Sequence, residues 1–440
     1  MASACIVKMK FASLLIVLWY FATSLCLAKE PSNARKITTR LNPDCDVPEC
    51  QDGYNGSYAN IAHIKAVGSE DTLHYVISTI GVPSVVVIRA DPTSSLSFNW
   101  KNLLSDNATD RSGSITLTGT ALKNSFAVVF TELIEYNDVD DKATISSYFH
   151  GNTTTTNYTI HDFGEMMWSE VATVPGNKNS AIFSHTVFKN DSDVKKAEGF
   201  LSFTFNAYDN TGRQSVLPKM EYNMNNTLLD LLLNNLTAMY DKSRFSVGVV
   251  MIGTSQDKPD ITETRSLDDE YTPGVFKMFD WSTKPCLKED GGYLEWKPIC
   301  YTSSSRNRLS GTYVNSDDRT DGMNQKHYLE RSVAYSYFGD KLFSADMTTS
   351  GTNISFGLSE DGFYVKKNYT VWSATIGHGT PPQDAISILV IGVISAGLGL
   401  PVVIILFGGI FVIVKKHMAK KDQFFLEEMK RKILTVFLKI

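Results

Sequence analysis

Apolar residues are distributed along this chain in two ways. Residues 385–414 pass without a charge, whereas upstream the apolar positions come as alternations or short runs broken by polar turns. As a helix rising ~1.5 Å per residue, the long stretch measures about 45 Å against a hydrocarbon core of roughly 30 Å. It predicts a membrane-spanning helix, with slack for tilt or for a kink at Pro401. The upstream pattern predicts strands. Leu96-Ser-Phe98-Asn-Trp100 and Leu201-Ser-Phe203-Thr-Phe205 alternate with period two. Residues 85–88 and 126–130 are continuous apolar runs, the mark of strands buried on both faces. Segments 114–118, 144–149, 181–188, 245–251, 293–296, 333–337 and 369–373 continue the series, with turn signals at 106–113, 208–212 and 360–362. Residues 227–233 read as a short helix or a strand. The fold class expected is all-β, an antiparallel β-sandwich-type region on a single C-terminal transmembrane helix. A polar stretch at 256–269, containing Pro259, marks the place where it would divide into two packed subdomains.

The flanks of the long stretch orient it. Lys415, Lys416, Lys420 and Lys421 follow it, while 377–384 carry no Lys or Arg, so the tail belongs on the cytosolic side. At the other end Lys8 and Lys10 precede an apolar segment, 11–25, and the small-residue site Cys26-Leu27-Ala28. That is the pattern of a signal peptide. The chain therefore reads as signal peptide 1–28, lumenal region 29–384, span 385–414 and cytosolic basic tail 415–440, a type I single-pass protein.

Charge changes the picture by exclusion. The tail holds eight Lys/Arg and three Asp/Glu, a net of +5; the chain's −5 then leaves −10 for residues 1–414, and −12 without Lys8 and Lys10. An acidic lumenal region lacks the clustered cations that neutralise phosphates, so nucleic acid is not an expected partner. Removal of the signal peptide reduces six cysteines to Cys45, Cys50, Cys286 and Cys300. Four cysteines in an oxidising compartment allow three connectivities, of which nearness in sequence favours Cys45 with Cys50 and Cys286 with Cys300. No Cys-x-x-Cys pair exists and no His stands at ligand spacing, so neither a metal nor a cofactor is expected. Asn-x-Ser/Thr occurs at Asn55, Asn107, Asn152, Asn157, Asn190, Asn225, Asn235, Asn353 and Asn368. Nine acceptors behind a signal peptide predict heavy N-glycosylation.

Catalytic patterns are missing. Gly357-Leu-Ser-Glu-Asp361 breaks the nucleophile elbow at its last glycine, and neither His-Glu-x-x-His nor a phosphate-binding loop occurs. His63 and His74 flank a strand-like segment and read as structural or exposed. Asp138-Val-Asp-Asp141 and Asp268-Asp-Glu270 miss calcium-loop spacing and read as solvated acidic loops. Within the span Gly392, Ser395, Ala396 and Gly399 form a small-residue face suited to helix–helix contact. In the tail Phe425, Met429, Ile433, Val436 and Phe437, with Lys430-Arg-Lys432 between them, read as a basic amphipathic helix on the cytosolic leaflet.

Several longer segments together carry a resemblance. They are His63-Ile-Lys-Ala-Val-Gly-Ser-Glu-Asp-Thr-Leu-His-Tyr-Val76 running to Gly81-Val-Pro83, Ser95-Leu-Ser-Phe-Asn-Trp100, and Phe126-Ala-Val-Val-Phe-Thr131. Asp268-Asp-Glu-Tyr271, Trp296-Lys-Pro298 and the Gly/Pro-rich approach to the span complete the set. In this order the chain resembles the glycosylated lysosomal membrane protein family, from about residue 60 to 414. The resemblance implies a lysosomal type I glycoprotein, not an enzyme. It further implies an accessory subunit that binds a multi-pass transporter of the major facilitator superfamily and shields it from lumenal proteolysis. One departure stands out. The tail has no Tyr for a Tyr-based sorting signal, and Glu428 precedes Ile433-Leu434 by five residues where a dileucine signal wants four. The competing readings are a lumenal hydrolase of glycosidase or esterase type, whose two carboxylates need not be near in sequence, and a ligand-binding or sorting receptor.

Overall fold

A computed structural model describes residues 35–119, 121–145, 157–189, 196–254, 257–265, 271–283, 291–318, 325–382 and 388–438. The chain up to Gln383 forms one unit and Asp384–Ile440 a second.

The first unit is built from strands β1 (Lys36–Leu41), β2 (Ile61–Val67), β3 (Thr72–Ser78), β4 (Ser84–Ala90), β5 (Ser95–Phe98), β6 (Ile115–Thr118) and β7 (Leu122–Asn137). They are followed by β8 (Tyr158–Asp162), β9 (Ala172–Val174), β10 (Asn177–Lys189), β11 (Lys196–Ala207), β12 (Gly212–Arg213), β13 (Glu221–Tyr222) and β14 (Asn226–Asn234). The last are β15 (Ser243–Gly253), β16 (Asp260–Arg265), β17 (Lys277–Ser282), β18 (Gly292–Tyr301), β19 (Gly311–Asp318), β20 (Thr348–Phe356) and β21 (Tyr369–His378). All registered pairings are antiparallel. One sheet runs β1-β2-β3-β4-β7-β15-β20-β19, with β8 alongside the second half of β7. The other runs β9-β10-β11-β14-β21-β18-β17-β16. The end of β18 also pairs with β19, which joins the two sheets into a nearly closed barrel or sandwich.

Alternation decides which side chains fill the space between the sheets. Phe130 of β7 meets Phe203 of β11 at a ring separation of 5.0 Å, and Phe163 and Trp168 close on the same ring. Farther along, Trp372 of β21 contacts Trp296 of β18 and Phe356 of β20. Burying each such ring contributes about 2–3 kcal/mol before entropy is counted. The continuous apolar runs behave as their pattern predicts. The strands β4, β15 and the middle of β7 are buried on both faces, and the helix Val333–Phe338 packs on the outer side of β4.

That helix corrects the reading of 333–337 as a strand. Val333, Ala334, Tyr335 and Ser336 are buried, and Gly339, at φ 60°, ends the helix by donating its N–H to Tyr335 O. An apolar run this short cannot distinguish a covering helix from a strand. Residues 227–233 resolve the other way, into β14. Leu229, Leu231 and Leu233 point inward while Asp230 and Leu232 are half-exposed. The stretch 256–269 does not divide the body: β15 sits between β7 and β20, and β14 pairs with β21, so early and late strands interleave. Of the predicted strand 144–149, only Thr144 and Ile145 lie among the described residues, and they are irregular.

The second unit contains one helix, Ile388–Phe437, which continues through Pro401 and through Lys415–Lys421. Among the described residues it is the one helix apolar and long enough to cross a membrane.

Candidate functional site

Asn55, Asn107, Asn157, Asn235 and Asn368 are exposed. Asn107 also caps the turn Ala108–Arg111 by accepting the Thr109 N–H. Asn55, Asn235 and Asn368 hold φ near +50°, a conformation Asn tolerates better than most residues. Asn235 and Asn368, far apart in sequence, are neighbours: the Asn235 N–H donates to Asn368 O at 2.6 Å. Asn225 is half-buried. Asn353 departs from the prediction. It sits within β20 between Gly248 and Asp317, 3% exposed, leaving no room for a sugar on its side chain without opening the sheet. Asn152 and Asn190 lie outside the described residues.

Cys45 and Cys50 form a disulfide. Cys300 is a buried free thiol whose pKa is pushed up by burial. Cys286, and with it the expected bridge to Cys300, lies outside the described residues.

The acidic 138–141 loop is only partly solvated: Asp140 is exposed, whereas Asp138 is buried. Arg244, on β15, is 2% exposed in its side chain and donates to Asp138 at 2.7 Å, Asp141 at 2.6 Å and Asp361 at 2.9 Å. It also donates to Leu358 O at 2.8 Å and lies over the Phe363 ring. Burial opposes its charge, yet its hydrogen bonds to Asp141 and Asp361 outweigh that and hold its pKa above the ordinary value. Asp141 is displaced the other way: its desolvation is overcome by Arg244, and its carboxyl is held low. Arg244, Phe245, Thr312, Asp361 and Tyr364 line a cavity of about 210 Å³. The acidic run Asp268-Asp-Glu270 lies outside the described residues.

On the far side of Phe245 a second cavity, of about 250 Å³, brings together the residue types of a hydrolase: Glu135, His161 and, behind them, Ser243. Their order is wrong for catalysis. Glu135 accepts from the Ser243 hydroxyl and from the Met239 N–H at 2.6 Å, and its other oxygen meets His161 Nε2 at 3.3 Å. A nucleophile needs the imidazole between itself and the acid. Here the acid lies between, and Ser243 is fully buried and also accepts the Tyr240 N–H. His63 and His74 are structural: their rings stack at 5.2 Å, His63 Nε2 meets His74 Nδ1 at 3.0 Å, and His74 Nε2 meets Ser94 Oγ at 2.9 Å. Burial first, then Lys65, lowers the His63 pKa to about 4; burial and then His63 lower that of His74 to about 3. Among the described residues no group of His, Cys, Asp and Glu is placed to hold a metal ion.

In the helical unit, Gly392 and Gly399 have nothing within 4 Å of where a Cβ would stand, and Ser395 is exposed. The Ala396 side chain lies outside the described set.

Comparison with known proteins matches the family model described as glycosylated lysosomal membrane protein over residues 60–419. Glycosylated lysosomal membrane protein B of Xenopus laevis is 31% identical over 92% of this chain and 96% of its own length. The Danio rerio relative is 27% identical over 94% of this chain and 97% of its own length, and that of Homo sapiens 28% over 81% and 84%. A nearly closed β body, a disulfide and one C-terminal apolar helix agree with a single-pass lysosomal membrane protein. The chain belongs to the glycosylated lysosomal membrane protein family.

Proposed function

We propose that this protein is a non-enzymatic accessory subunit that binds a multi-pass transporter of the major facilitator superfamily, stabilises it and shields it from lumenal proteolysis. The observation that supports this reading is the nearly closed body itself. Proteases need extended, accessible backbone, and here the long strands are paired on both sides or covered while the exposed acceptor asparagines sit on turns and strand ends. The open face at Gly392, Ser395 and Gly399 suits close approach of a second helix in lipid. The hydrolase alternative loses its best support where Glu135 separates Ser243 from His161. Deleting the protein should shorten the transporter's half-life, and inhibiting lysosomal proteases should restore it. Purification in mild detergent should recover a multi-pass partner in stoichiometric amount. An unchanged half-life overturns the shielding role; turnover of a sugar or ester by the purified protein overturns its non-enzymatic character.

A further inference from the structure

Asn225 differs from the exposed acceptors in being half-buried and held on almost every polar atom. Its N–H donates to Asn223 Oδ1 at 2.7 Å, and its carbonyl accepts from His378 N at 3.0 Å and Tyr75 Oη at 2.6 Å. Its side-chain Oδ1 accepts from Arg35 Nε at 2.7 Å, which assigns the amide orientation. The remaining group, Nδ2, makes no hydrogen bond among the described residues, and it is the atom a glycan would occupy. Arg35 is itself fixed, paired with Asp71 at 2.5 Å, and Asp71 is shared with Arg89 at 2.5 Å.

Beside this amide lies a polar cavity of about 370 Å³, lined by Asn225 and by Arg35, Ser69, Asp71, Arg89 and His378. It is an unusual place for a cavity meant to stay empty. Its walls carry donors and acceptors in several directions and little apolar surface, which matches the hydroxyls and acetamido group of a sugar. Gly379 and Thr380, which follow the end of β21, also line it. We propose that it is the seat of the first N-acetylglucosamine of a glycan on Asn225, a sugar packed as part of the fold. The exposed acceptors Asn55, Asn107, Asn157, Asn235 and Asn368 carry glycans that only cover the surface.

Attachment precedes closure of the cavity. On the unfolded chain the Asn225 amide nitrogen bonds to the anomeric carbon of the sugar. The bond from that carbon to a lipid-linked diphosphate breaks, the diphosphate leaves with the electron pair, and the amide loses one proton. The fold then closes over the first ring. This inference stands apart from the transporter reading and survives its failure.

The test uses the full-length protein in detergent. Glycopeptide mapping should find Asn225 occupied. Peptide-N-glycosidase acting on the native protein should release its glycan at least tenfold more slowly than that on Asn235, with the difference vanishing after denaturation. Shielding by the micelle would also slow release, so stability supplies the second readout. Thr227→Val removes the acceptor sequence and leaves Asn225 in place; Asn225→Gln removes the acceptor itself. Each should lower the melting temperature by several degrees, and the double variant by less than their sum, because both lose the same sugar. Asn157→Gln, at an exposed acceptor with ordinary backbone, should shift it by less than a degree. An unoccupied Asn225, release as fast as at Asn235, or fully additive shifts overturns the proposal.

Discussion

Replacing Arg244 by Met tests whether the buried charge cluster holds one end of the body together. Met keeps most of the aliphatic volume and removes the guanidinium, so the effect reports on charge more than on packing. Three carboxylates lose their partner, and Asp138, whose side chain is 0% exposed, stays in place accepting the N–H groups of Lys142 and Ala143. Breaking a buried pair by deleting one member costs about 3–5 kcal/mol. Asp141 and Asp361 are 30% and 22% exposed and recover part of their hydration, which favours the lower end. With ~2–4 °C per kcal/mol for a domain of a few hundred residues, the melting temperature should fall by about 6–12 °C at pH 7. The pH dependence gives a sharper sign. In the native protein the Asp141 carboxyl is held low, so its contribution is present above the unfolded value near 3.8 and is lost as pH falls through the lower folded value. Carboxylates without their counter-charge take up protons more readily, so acid relieves the variant at pH values where the native cluster is still intact. The deficit should therefore narrow between pH 7 and pH 4. Thermal unfolding of the full chain, followed by tryptophan fluorescence at both pH values, measures it. A deficit below about 2 °C at pH 7, or one that widens in acid, would refute this account.

Three further outcomes follow. His63 and His74 have folded pKa values lowered to about 4 and about 3, so the unfolded chain binds more protons below pH 6.5. Stability should fall on acidification from pH 7 towards 4, by up to about 2 kcal/mol per residue at pH 5; His74→Asn should flatten that slope, and an unchanged slope would remove the pair as its source. Cys300 should resist alkylation until the protein is unfolded, and peptide mapping should find Cys45 joined to Cys50; a Cys286–Cys300 peptide would contradict the free thiol at Cys300. Asn353→Gln should leave the mass of the glycoprotein unchanged while Asn55→Gln reduces it by one glycan, and a glycopeptide containing Asn353 would contradict its burial.

Local pattern was legible wherever one face of a strand decides its sequence. Leu96 and Phe98 are buried and Ser95 and Ser97 exposed, as their alternation predicts. The runs at 85–88 and 126–130 are buried on both faces. What stayed hidden depends on partners far away along the chain. Asp138 and Asp361 reach Arg244 across 106 and 117 residues, and no spacing rule connects them. A signal existed nonetheless. An arginine embedded in the apolar run that becomes β15 requires counter-charges, and the acidic loop at 138–141 was available to supply them.

The place of β21 has a consequence for how the protein is made. It lies between β14 and β18, so the last strand before the apolar helix fills the middle of its sheet. Nine residues separate His378 from Ile388. Until that strand reaches the lumen, β14 and β18 each lack a neighbour and the sheet is two fragments. Folding of the body then cannot finish before the span itself emerges from the ribosome. Completion waits on membrane insertion, and translation leaves a long interval in which the half-buried Asn225 stands on an open chain within reach of the glycosylating enzyme. A protein truncated just before β21 would remain in that interval indefinitely.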